Sequence, residues 1–122
     1  LVVSASTNVN IESVAVSSQN VASEVVVTVI GEYEKNHIAS SSGLYGSICT
    51  DSSGTDFISR ALHWDGTAAT KTYYGTFAIE RRYSLAASTS HTYYFITNGV
   101  RSSSSEHFYL KNIFMKAEVI KL

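Results

Sequence analysis

At 122 residues and 13.3 kDa the chain has the size of one domain, able to bury about two-thirds of its unfolded surface without disulfide staples. Hydrophobic residues at 44% against charged residues at 16% argue against a disordered chain. A net charge of −1 with a pI near 6.5 argues against the clustered Lys and Arg that nucleic-acid binding needs.

No apolar run approaches the ~20 residues of a bilayer span, so membrane insertion is not expected. Cys49 stands alone and cannot form a disulfide within the chain. It reads as a small buried hydrophobe on a strand. A start at Leu1 rather than Met reads as a processed product or an excised domain. Proline is absent, which leaves Gly, Ser and Asn to make the turns.

Near the N-terminus Val9 and Ile11 share one parity and Val14 and Val16 the other, which predicts a strand with a bulge near Glu12-Ser13. From Glu24 to Glu34 the alternation is clear: Val25, Val27, Val29, Gly31 and Tyr33 fall on one face and Glu24, Val26, Thr28, Ile30, Glu32 and Glu34 on the other. Ser40-Ser41-Ser42-Gly43 reads as a loop. Ser52-Ser53-Gly54 reads as a tight turn. The flanking Asp51 and Asp56 are weak calcium candidates, without the alternating acids of an EF-hand loop, and an ordinary capped turn competes with that reading.

A strand is predicted over 56–64, with Phe57, Ser59, Ala61 and His63 opposed to Ile58, Arg60, Leu62 and Trp64. Asp65-Gly66 then supplies a turn. The segment 66–72 resembles a phosphate loop only superficially, since the glycine that should precede Lys71 is missing. Thr72–Ile79 and His91–Thr97 alternate as strands rich in aromatic and β-branched residues. Between them Arg81-Arg82 reads as two strand residues pointing opposite ways, one exposed and one paired with an acid such as Glu80. Asn98-Gly99 reads as a hairpin turn requiring positive φ. The run Ser102–Ser105 reads as a loop, and residues 108–122 as a closing strand with apolar residues of both parities. Ile113, Met115, Ala117 and Val119 lie on one face, and Leu110, Phe114, Ile120 and Leu122 on the other.

Together these elements predict an all-β, antiparallel β-sandwich in a single domain spanning 1–122, with meandering hairpins at the turn signals. Their order resembles the jelly-roll head domains of the C1q and tumour-necrosis-factor type, and the tip domains of phage tail fibres. The likeness rests on the central strand Val21–Val29, on Gly75–Ile79 followed by Tyr83–Leu85 and His91–Phe95, and on the closing strand Leu110–Leu122. It implies jelly-roll topology, a homotrimer, and an extracellular or virion-surface location.

The search for chemistry finds no catalytic residues and no cofactor. His37, His63, His91 and His107 lack metal-ligand spacing with each other or with Cys49 and read as surface or interface residues. No Gly-x-Ser-x-Gly elbow is present. The expected function is therefore non-enzymatic: a structural or receptor-binding module, a subunit of a virion appendage or extracellular filament, assembling as a homo-oligomer through its sandwich faces. The interface candidates are Leu110, Phe114, Ile120 and Leu122, because a strand apolar on both faces needs cover on both. The alternative is a monomeric carbohydrate-binding module that stacks a cell-surface glycan on Trp64, Tyr74 and Tyr94.

Overall fold

The computed structural model describes residues 2–3, 8–37, 42–65, 71–100 and 107–122. They form eight strands and no helix: β1 (Val2–Val3), β2 (Val9–Val16), β3 (Ser23–His37), β4 (Ser42–Cys49), β5 (Arg60–Asp65), β6 (Lys71–Leu85), β7 (His91–Val100) and β8 (His107–Lys121). Two four-stranded antiparallel sheets face each other. The first has the order β1-β8-β3-β6 and the second β2-β7-β4-β5. The domain is thus an all-β sandwich.

Pairing follows a simple rule: β1 pairs with β8, β2 with β7, β3 with β6, and β4 with β5, alternating between the sheets. Of strands adjacent in sequence, β4 and β5 alone are hydrogen-bonded among the described residues. The expected meander is therefore overturned, because most chain reversals carry the strand across to the other sheet. Asp65 closes β5 in the second sheet and β6 opens in the first. Gly66, the phosphate-loop look-alike up to Thr70, Ser40-Ser41 and the Ser102–Ser105 loop lie outside the described residues.

Period-two alternation builds the core. Val25, Val27 and Val29 of β3 are fully buried and meet Leu44 and Ile48 of β4, Tyr93 and Phe95 of β7, and Phe108 and Leu110 of β8. The Phe77 and Phe95 rings pack across the two sheets at 5.7 Å. Burying each such side chain contributes roughly 1.5–3 kcal/mol, which is why the valine run on β3 marks the centre of the fold.

Among the described residues three bulges reset the alternation. In β2 the register slips between Asn10 and Glu12, within a residue or two of the expected place, so Ile11 and Val14 both pack on the core. In β5 the slip lies where Leu44 pairs with His63 and Tyr45 with Ala61, so Leu62 and His63 both face inward. The third is in β8, where Asn112 adopts φ 52° opposite Gly31. A Cβ on Gly31 would lie 2.5 Å from Ile113 Cδ1 and 2.8 Å from Phe77 Cζ, so a side chain there would have to displace both.

Two expectations about turns are corrected. Asn98-Gly99 is not a hairpin turn but part of β7: Gly99 is buried opposite Leu44, and Asn98 points outward and donates to Asn8 Oδ1 at 3.0 Å. The inward series Tyr93, Phe95, Thr97 simply continues through Gly99. Ser42 and Gly43, expected in a loop, open β4. The turn at Ser52-Ser53-Gly54 is present, with Gly54 at φ 75°. Residues 56–59, expected as strand, belong instead to the β4–β5 connection, which folds over the second sheet and buries Ile96 and Cys49.

Candidate functional site

Arg81 and Arg82 illustrate how alternation distributes charge. Arg82 points outward and pairs with Glu24 at 2.7 Å and Glu80 at 3.3 Å. Arg81 points between the sheets. It donates to the carbonyl oxygens of Ile48 (2.8 Å) and Asp56 (2.9 Å) and lies 3.5 Å from the Asp56 carboxylate. Tyr83 donates to the same Ile48 carbonyl at 3.0 Å. The edge of β4 that β5 leaves uncovered is thereby capped by side chains of the opposite sheet.

The calcium candidates Asp51 and Asp56 are each engaged by the chain's own donors. Asp51 Oδ1 accepts from the Ser53 amide and hydroxyl and from the Thr55 amide, at 2.9–3.1 Å. These bonds, the Thr55 amide foremost, hold its carboxyl down at about 2. Asp56 Oδ1 accepts from the Thr50 amide at 2.9 Å while its other oxygen faces Arg81. Both carboxylates tie down the loop. Among the described residues, no three His, Cys, Asp or Glu come together as a metal site.

The aromatic platform also disperses. Each tyrosine pair sends one ring to each face: Tyr93 is buried and Tyr94 outward, Tyr73 inward and Tyr74 outward with 73% exposure. Tyr74 lies on the outer face of the first sheet, whereas Tyr94 and Trp64 lie on the outer face of the second. Trp64 pairs with Gly43 and Tyr94 with Cys49, at opposite ends of β4, about 20 Å apart at ~3.3 Å per residue. Trp64 covers Gly43 and packs near Tyr45 at 6.5 Å. Tyr94 instead borders a shallow groove of about 540 Å³ with Thr50, Asp51 and His91. His91 Nε2 donates to the Thr50 carbonyl at 2.9 Å.

A polar cluster that sequence reasoning missed fills one end of the interior. Tyr33 Oη and His63 Nδ1 are 2.8 Å apart, and the His63 ring packs on Tyr73 at 5.2 Å and on Phe108 at 6.1 Å. Fully buried Lys35 sets its ammonium 5.6 Å from the centre of the Tyr73 ring and 5.8 Å from that of Phe108. Burial pushes the Tyr33 hydroxyl up. His63, expected at the surface, is an interior residue because the β5 bulge turns it inward. The signal for Lys35 was its parity, which continues Val29, Gly31 and Tyr33.

The outer face of the first sheet carries several of the exposed apolar residues, while Trp64 lies on the second sheet and Ile58 on the β4–β5 connection. Cross-strand rows from β8 through β3 to β6 read Ile120–Glu24–Ser84, Glu118–Val26–Arg82, Lys116–Thr28–Glu80 and Phe114–Ile30–Ala78. Phe114 is 57% exposed, and Ile30 and Ile120 are each 46% exposed. Leu122 follows the end of β8 and is 82% exposed. Leu110, expected beside Phe114, is buried in the core, because the extra residue at Asn112 switches its parity. Beyond Phe114 a groove of about 370 Å³ is bordered by Glu32, Glu34, Tyr74, Thr76 and Lys111. Hydrogen bonding to the Glu34 carboxylate raises the Tyr74 hydroxyl above its ordinary value, and Lys111 faces the same carboxylate at 3.5 Å.

No family model, no curated protein and no solved structure matches this chain. The fold and these surfaces are therefore what its function can be argued from.

Proposed function

We propose that the domain is a non-enzymatic structural or receptor-binding module, a subunit of a virion appendage such as a tail fibre or of an extracellular filament. It assembles as a homo-oligomer through the outer face of its first sheet. The observation that carries this reading is the exposure of Phe114, Ile30 and Ile120 on one sheet face, with Leu122 beside it. The second sheet is partly covered by the chain's own β4–β5 connection near Ile96, and its exposed apolar side chains, Trp64 and, on the connection, Ile58, do not form such a row. The pairing of first strand with last, second with second-last, and so inward, supports a jelly-roll winding. A threefold assembly is the one that the resemblance to C1q and tumour-necrosis-factor heads favours.

Light scattering after size exclusion tests the reading, and a monodisperse monomer at high concentration overturns it. Phe114→Ala should weaken assembly while leaving the fold intact, because more than half of the ring is already exposed in the single chain. Ile113→Ala, whose side chain packs on the core, should destabilise by about 2 kcal/mol in any state of association. Equal loss of fold in both variants would place Phe114's role inside the domain.

Glycan binding is a second reading, favoured by the exposed Tyr74 ring beside Glu34, Lys111 and Thr76. A glycan array probed with the wild type and with Tyr74→Ala separates it from pure assembly.

A further inference from the structure

We propose that two copies of this chain join edge to edge through β8, antiparallel, about a twofold axis at Ala117. The contact goes beyond the assembly reading above, which uses the outer face of the same sheet: the edge of β8 is a second place at which two copies meet.

Among the described residues one edge of β8 is mostly without a hydrogen-bonded strand. One side of β8 is paired with β3 from Ser23 to Asn36. The other side is paired with β1 only at Tyr109 and Phe108, and β1 runs from Tyr109 towards Phe108, away from the rest of β8. Among the described residues no other strand pairs along that side from Leu110 to Lys121. A row of backbone N–H and C=O groups left this way is a template for another strand.

The side chains select the partner. Turning β8 about Ala117 in an antiparallel pair sets Lys116 of one copy opposite Glu118 of the other, and Phe114 opposite Ile120, each twice by symmetry. On the inner side Met115 meets Val119. In the single chain Lys116 and Glu118 lie 2.7 Å apart on the same strand, 48% and 60% exposed, so pairing would complete an alternating four-charge cluster. Phe114 and Ile120, both largely exposed, would cover one another. Moving the axis by one residue, to Lys116 or to Glu118, sets like charges face to face, which is destabilising. Moving it by half a residue sets the outer side chains of one copy against the inner side chains of the other. Of these registers, the one at Ala117 alone matches apolar to apolar and plus to minus. The resulting sheet would run β6-β3-β8 in one copy and β8-β3-β6 in the next, leaving its outer face available for further contacts.

Charge reversal tests the register directly. Sedimentation equilibrium from micromolar to millimolar chain should show self-association of the wild type. Lys116→Glu and Glu118→Lys should each weaken it by roughly ten-fold or more, since each places like charges opposite twice. The double variant Lys116→Glu/Glu118→Lys should restore it, and so should an equimolar mixture of the two single variants. Far-ultraviolet circular dichroism on each variant should match the wild type, both side chains being exposed. If the wild type associates but neither the double variant nor the mixture recovers, the twofold contact is wrong while assembly through a face stands. If the wild type is monomeric throughout, both readings fall.

Discussion

Arg81→Met and Arg82→Met change neighbouring residues of identical chemistry, and the structure assigns them opposite consequences. Arg81 donates two hydrogen bonds to backbone carbonyls across the sandwich and stands 5.0 Å over the Tyr83 ring. A hydrogen bond involving a charged group contributes about 1.5–3 kcal/mol, and a partly buried cation–π contact roughly 0.5–1 kcal/mol. Two effects offset part of this loss. The Ile48 carbonyl keeps the Tyr83 hydroxyl, and the Asp56 side chain, 29% exposed, can turn to water. Arg81→Met should therefore destabilise by about 2–4 kcal/mol. Arg82 is 61% exposed and its pairs with Glu24 and Glu80 are screened, so Arg82→Met should leave the unfolding midpoint within replicate scatter. Urea titration at constant slope measures both: the Arg81 variant should shift its midpoint down by about 1–2 M. Equal midpoints for the two variants, or a larger loss for Arg82, would refute the account of how the β4 edge is capped.

Three further outcomes follow from the β4–β5 connection. Gly54→Ala should lower stability by roughly 1–2 kcal/mol in thermal unfolding, because the residue sits at φ 75° and its Cβ would lie 2.8 Å from Asn8 Nδ2. Asp51 titrates at about 2 in the folded chain against 3.8 ordinarily, so its stabilising contribution is complete above about 3.8 and is lost as pH falls through about 2. Midpoints measured against pH should show that acid-dependent loss in the wild type and a smaller one in Asp51→Asn. Burial pushes the Cys49 thiol up and leaves it no exposed surface, so a thiol reagent should react only in step with unfolding. Fast reaction in native buffer would contradict its placement.

Much of the fold was legible because one physical signal dominated it. Val25, Val27 and Val29 of β3 share one parity, and that parity marks the side facing the core over Glu24–Glu34, although Val26 on the outer side is buried too. Tyr73-Tyr74 and Tyr93-Tyr94 follow the same rule. Turn chemistry was less dependable. Asn98-Gly99 has the residues of a hairpin turn, yet Gly99 serves an interior position opposite Leu44, while the connection before His91 bends with Ser88 at φ 60° and no glycine. Local preference proposes a turn, and a strand with a neighbour on each side overrides it. Apart from β4 with β5, joined through the Ser52-Ser53-Gly54 turn, strand pairing was not legible from the turn signals, because the partners lie far apart in sequence.

The closing strand shows why the candidate surface was only half readable. Counting by twos from Phe114 places Leu110 on the same face, and that count made β8 look apolar on both sides. Asn112 in the left-handed region inserts one residue, so Leu110 and Phe108 turn into the core together with Ile113, Met115, Ala117 and Val119. Asn is among the few residues that adopt this conformation at low cost, and its amide donates to Glu32 across the strand at 2.8 Å. Gly31 opposite completes the device. An Asn on one strand and a Gly on the next are each common, and neither marks a bulge until the strands are known to be paired. Once the bulge is placed, the outward residues from Phe114 onward are Phe114, Lys116, Glu118 and Ile120: apolar, basic, acidic, apolar. The argument for assembly then no longer rests on a strand that is hydrophobic all round. It rests on the exposed outer face, and for the twofold contact on a symmetric pattern of four side chains along an edge to which no described strand is hydrogen-bonded beyond Tyr109.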